Sequence, residues 1–154
     1  MNEGEAMSDF KHPAILETKQ ALGETTLIAD PAQIVGLCRH LKDDEKFVRL
    51  SSITAVDWHP AEPRFEVVYH LASIEPIRRL RVKCRVSGIN PEMDSVYSVW
   101  RAADWYEREM FDMFGIGFRN HPNLVRILMP LDWEGHPLRK DYPVHGYKYG
   151  YAKE

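Results

Sequence analysis

From Val48 to Val86 the apolar residues fall into a period of two, and this alternation commits the middle of the chain to a sheet. Val48, Leu50, Val56 and Trp58 share one parity. Phe65, Val67, Tyr69 and Leu71 repeat the pattern, and Leu80, Val82, Cys84 and Val86 repeat it again, each set alternating with polar residues. Three half-buried strands are predicted. The stretch His59 to Pro63 holds two prolines and is too short for a crossover helix, so the first two strands should pair antiparallel as a hairpin.

Helical spacing flanks the strands. Pro13, the apolar Ile15, Leu16 and Leu22, and a terminal Gly23 suggest a helix over 12–22. After the apolar run Thr25 to Ala29, Asp30 and Pro31 read as N-cap and first residue of a second helix, whose Ile34, Leu37, Cys38 and Leu41 share one face. Cys38 is then a core residue rather than a reactive thiol. From Ser95 to Phe114 the residues Trp100, Ala103, Met110, Phe111 and Phe114 keep helical spacing, with Asp94 as cap and Gly115 as stop. Helices on the apolar face of a mainly antiparallel sheet make an α+β two-layer domain.

No run free of Asp, Glu, Lys and Arg exceeds eight residues, against the roughly 18 a membrane-spanning helix needs. The first ten residues carry Glu3, Glu5 and Asp9 without an apolar core, which reads as a flexible acidic terminus of a cytoplasmic protein and not as a secretory signal. Twenty basic residues against 23 acidic ones argue against a chain held to nucleic acid by its overall field. The two cysteines, Cys38 and Cys84, form no Cys-x-x-Cys pair, so this chain alone builds neither a thiolate zinc site nor a four-cysteine iron–sulfur site.

The third strand turns Arg79, Arg81, Lys83 and Arg85 to its polar side. Such a row could track an RNA backbone, but no aromatic residue interleaves it for base stacking. A solvated or partner-facing surface, paired in part with Glu66 on the neighbouring strand, is the plainer reading.

Beyond Gly115 the prolines Pro122, Pro130, Pro137 and Pro143 forbid a long helix or central strand. Yet this segment carries Phe118, Leu124, Ile127, Leu128, Met129, Trp133, Leu138, Tyr142, Tyr147 and Tyr149. Ordering an extended segment costs roughly 1–2 kcal/mol per residue, so these anchors must be buried on the chain's own domain or on another subunit. The expected organisation is a flexible terminus over 1–10, a domain over 11–115, and an extended Pro/aromatic-rich, partner-binding arm over 116–154. Within the last helix, Glu107 falls in the apolar stripe and calls for a cation, with Arg126, Arg139 and Lys140 as candidates. Asp104, Arg108 and Asp112 form an i, i+4 ladder of an exposed face. His121, His136 and His145 lack a recognised metal-ligand spacing, and Glu109 with Asp112 is a weak acid/base pair.

Glu107-Arg108-Glu109, Asp112-Met113-Phe114-Gly115-Ile116, Phe118, His121-Pro122, Leu124, Arg126-Ile127-Leu128 and Gly135-His136-Pro137-Leu138-Arg139-Lys140-Asp141-Tyr142-Pro143 form one continuous pattern. Together they resemble the signature of the 30 kDa subunit, known as the C subunit, of proton-translocating NADH:quinone oxidoreductase, respiratory complex I. The resemblance implies a non-catalytic structural subunit of the hydrophilic arm, peripheral on the cytoplasmic face of the inner membrane. It implies no cofactor in this chain, with FMN, iron–sulfur clusters and quinone held by other subunits. It also implies packing against a D-like subunit, next to a B-like one. Glu107, Arg108, Glu109 and Asp112 are then expected to meet Arg126, Arg139 and Lys140 in an ion-pair network fixing the arm. Related subunits serve membrane-bound hydrogenases and complexes with other electron donors, and these stay open as alternatives. So do a stand-alone RNA-binding module and, more remotely, a metal-dependent enzyme built from the C-terminal histidines.

Overall fold

The computed structural model describes residues 9–147. Five strands, β1 (Ile15–Ala21), β2 (Glu24–Ala29), β3 (Arg49–Asp57), β4 (Phe65–Ser73) and β5 (Arg78–Val86), form one sheet in the order β1-β2-β5-β4-β3. Every neighbouring pair is antiparallel except β2 and β5, which run parallel. Two helices, α1 (Ile34–Asp43) and α2 (Ala103–Phe114), bury their apolar residues in one core with the inner face of the sheet. Two short strands, β6 (Glu92–Asp94) and β7 (Gly117–Arg119), pair parallel on either side of α2 in sequence.

The alternation of the central strands is realised. Phe65, Val67, Tyr69 and Leu71 of β4 and Leu80, Val82, Cys84 and Val86 of β5 are buried, and β3 and β4 form the expected hairpin. Asp30 caps a short 3-10 turn, Pro31–Gln33, by accepting from the Ala32 N–H at 3.0 Å, and α1 follows with Cys38 fully buried.

Three expectations are corrected. Residues 15–21 form a strand, not a helix, because Leu22 and Gly23 both take positive φ (51° and 75°) and close a two-residue hairpin turn. In β3 the register slips between Leu50 and Ser52, so Ile53 and Asp57 turn inward while Val56 and Trp58 turn out. Finally, α2 begins at Ala103 instead of Ser95: the Val99 and Trp100 N–H groups fold back on the Val96 carbonyl, and Asp94 lies in β6, bonded to Arg119. Phe10 is already part of the core, its ring 5.9 Å from Phe47; residues 1–8 of the expected flexible terminus lie outside the described residues, as does Tyr149.

The basic row on β5 is largely answered from within the chain. Arg81 meets Glu24 at 3.0 Å, Lys83 meets Glu66 at 3.6 Å, and Arg85 donates to the Pro63 carbonyl beneath the Trp58 ring. Arg79 stays exposed.

Candidate functional site

Part of the signature, Asp112, Phe114, Gly115, Arg126, His136, Leu138 and Arg139, meets at the C-terminal end of α2. An α-helix leaves its last carbonyls without intrahelical donors, and a buried helix end must find them elsewhere. Here the arm supplies them. His136 Nδ1 donates to the Asp112 carbonyl at 3.0 Å, the Leu138 N–H to Met113 at 3.0 Å, and Arg139 Nε to Phe114 at 2.6 Å. Arg139 also lies 5.3 Å from the centre of the Phe65 ring, which packs edge-on against Phe114. Gly115 makes this approach feasible: its φ is +75°, and a Cβ there would stand 2.6 Å from His136 and 2.7 Å from Arg139.

In the same last turn, Asp112 is fully buried and its carboxylate accepts from four donors. Arg126 Nη1 and the backbone N–H groups of Ile127, Leu128 and Met129 reach its carboxylate at 2.7–3.1 Å. Burial pushes the Asp112 carboxyl up, but the Met129 and Leu128 N–H groups, Arg126 and Ile127 outweigh it and hold the group below the usual carboxylate range. Arg126 Nη2 continues to the Gly135 carbonyl at 2.8 Å. Gly135 (φ +79°) leaves room for the Tyr142 ring, whose hydroxyl accepts from Trp133 Nε1 at 3.0 Å.

A second clamp joins the arm to the β3–β4 hairpin. Arg64 forks onto both Asp57 oxygens at 2.8 Å and onto Asp141 at 2.8 and 3.2 Å, and Asp57 also accepts the Lys140 N–H at 2.8 Å. Arg64 and Asp57 are buried. The Arg64 side chain, helped by the Lys140 and His59 N–H groups, holds Asp57 far below the usual carboxylate range against the opposing effect of burial.

The remaining signature residues divide. Glu107, fully buried, meets no cation among the described residues; it accepts from Ser95 Oγ at 2.5 Å and the Val96 N–H at 2.8 Å, and burial pushes its carboxyl up to about 7. Burial favours the uncharged form of this carboxyl, and the hydroxyl and amide satisfy its oxygens without a counter-ion. Arg108 lies over Trp105 and donates to the Val125 and Arg126 carbonyls, so it secures the arm's backbone, and it joins no ion pair among the described residues. His121 accepts the Asn123 N–H at Nδ1, which places its proton on Nε2 facing Asp104. Lys140 uses its backbone; its side chain and that of Glu109 join no ion pair among the described residues. Pro122 and Pro143 are exposed and Pro137 half-buried. Of the expected network, only Asp112–Arg126 forms. Asp57 and Arg64, in the first two-thirds of the chain, form the second clamp, and no local sequence motif marks either of them.

Among the described residues no three His, Cys, Asp or Glu side chains gather as a metal site. A latch of this kind positions an arm.

The family model of the respiratory-chain NADH dehydrogenase 30 kDa subunit matches residues 27–148. The chain belongs to this family. The NADH-quinone oxidoreductase C subunit of Citrifermentans bemidjiense is 49% identical over 133 residues, covering 86% of this chain and 83% of that one. Among solved structures, the trypsin-resistant fragment of Nqo5 superposes with a TM-score of 0.63 at 30% identity, over 68% of this chain and 86% of the fragment. The structure of the membrane-bound sulfane sulfur reductase, an archaeal respiratory membrane complex, contains a chain that superposes with a TM-score of 0.74 at 31% identity, over 86% of this chain and 79% of that one. The 30 kDa subunit family is thus found in respiratory membrane complexes, and no helix among the described residues here is long and apolar enough to cross a membrane.

Proposed function

We propose that the chain is a non-catalytic peripheral-arm subunit of a proton-translocating NADH:quinone oxidoreductase, scaffolding a D-like and a B-like partner on the cytoplasmic face of the inner membrane. FMN, iron–sulfur clusters and quinone then belong to the partners. The observation that carries this reading is the contrast between the arm's two sides. Its inner side is fixed by the Asp112, Arg64 and helix-end bonds, while Leu128 (61% exposed), Leu131 (79%), Leu138 (55%) and Val144 (96%) point outward. Rigidly presenting apolar side chains to water is unfavourable unless a partner covers them.

Affinity capture of the tagged chain from its native membranes in mild detergent tests this. Recovery of a flavin and iron–sulfur assembly with NADH-dependent quinone reduction and a D-like protein is the expected result. Recovery of the chain alone, or with RNA, would refute it. The likeness to the sulfane sulfur reductase chain supports a second reading, the same scaffold role in a complex with another electron donor. The donor specificity of the captured assembly separates the two.

A further inference from the structure

Away from the arm, two grooves of about 1460 and 930 Å³ share Arg49 and Ile74. The larger runs over the outer face of the sheet, past His70, Arg79 and Arg81; the smaller passes Lys42 and Arg101. Together they are lined by six cations, Lys42, Arg49, Arg78, Arg79, Arg81 and Arg101, and by one carboxylate, Glu24, which Arg81 already occupies at 3.0 Å. Arg49, Arg79 and Arg101 are exposed and pair with no carboxylate among the described residues, and Arg78 Nε is buried without a hydrogen-bond partner. Beside them Ile74 and Ile77 are 66% and 84% exposed. Unanswered like charges lining a recess repel one another and raise the local concentration of anions.

We propose that this band is a docking surface for an acidic segment of a neighbouring protein subunit. The segment sets carboxylates on Arg49, Arg79 and Arg101 and an apolar side chain against Ile74 and Ile77. The inference rests on the chain working inside a multi-subunit complex, as proposed above. A peptide fits better than the other anionic polymers. RNA would find no exposed ring between Arg79 and Arg81 on which to stack a base, and the isoleucines offer it nothing. A membrane surface is flat and would meet the rim, whereas these cations line recesses.

The test uses the full chain in its assembled complex. A photoreactive benzoylphenylalanine replaces Ile77, the membranes are irradiated, the complex is captured, and the adduct is mapped by mass spectrometry. The expected adduct is a segment of another subunit carrying at least two carboxylates. In parallel, the double variant Arg49→Glu/Arg79→Glu, which alters two exposed side chains and should melt like the wild type, is expected to be retained in the complex about tenfold less strongly at moderate salt. Adducts to lipid, RNA or a neutral or basic segment overturn the proposal. So does co-purification with no adduct together with normal retention of the double variant. A chain that co-purifies with no assembly at all overturns this proposal and the scaffold reading together.

Discussion

Arg126 donates to the fully buried Asp112 carboxylate at 2.8 Å and, through its other amino group, to the Gly135 carbonyl at 2.8 Å. One guanidinium therefore ties the last turn of α2 to two separate stretches of the arm. Three consecutive arm amides complete the ring around Asp112, so the carboxylate organises the backbone as well as the charge.

Replacing Asp112 with Ala should strand Arg126 and three N–H donors at once. Removing one partner of a buried pair costs about 3–5 kcal/mol, because the group left behind loses its compensation. The expected outcome is selective: trypsin should cut after Arg126 much faster than in the wild type while the sheet and α1 stay resistant. Equal cleavage rates in the two proteins would show that Asp112 does not hold the arm.

Arg64→Met removes the second clamp and leaves Asp57 buried with only the Lys140 and His59 amides. A loss of about 3 kcal/mol in urea unfolding is expected. The sign with pH follows from the depressed Asp57 carboxyl. Its contribution is present above the usual carboxylate range and is lost as pH falls below it, so the stability gap between variant and wild type should narrow in acid. A gap independent of pH would mean that Arg64 acts through packing on Phe65, 5.0 Å away, instead of through Asp57.

The central hairpin and the chemistry-bearing end of the chain were legible because β4 and β5 alternate without interruption and because the signature is continuous from Glu107 to Pro143. The first hairpin was not. Six of the seven residues of β1 are exposed, so an edge strand with little to bury gives no alternation to read, and Gly23 ends a helix or turns a hairpin equally well. The slip at Ser51 was invisible for a similar reason: one extra residue reverses the parity of β3, and nothing in Arg49 to Ile53 marks it. In the site, the charge on Glu107 suggested a cation, whereas its solution is a hydroxyl twelve positions earlier. Sequence shows that a buried carboxyl needs a partner but not which protonation state it keeps.

Glu107 should make the protein more stable in weak acid than at neutral pH. Its folded carboxyl titrates at about 7, above the ordinary glutamate range, so between these values the folded state binds more protons than the unfolded one. Stability then falls as pH rises from about 4.5 to 7 and levels off beyond, by up to ~3 kcal/mol. Glu107→Gln keeps the shape and an acceptor without the charge, and should remove this slope between pH 5 and 8. Parallel urea-midpoint profiles for the two proteins would sink the idea.

Gly115→Ala tests the contact on which the helix end and the arm depend. The positive φ alone costs about 1 kcal/mol for a residue with a Cβ. The larger effect is steric, since the new methyl would overlap His136 and Arg139, both of which cap α2, and Arg139 cannot retreat without giving up its bond to the Phe114 carbonyl. The arm should therefore lift between Gly135 and Lys140 while α2 survives, its Gly115-position N–H still able to reach Phe111. Amide hydrogen exchange reads this directly: Leu138, protected through Met113, should lose at least tenfold of its protection in the variant, whereas amides inside β4 should keep theirs. Uniform loss at both places would mean that the arm and the domain unfold as one unit and that the latch is no separate device.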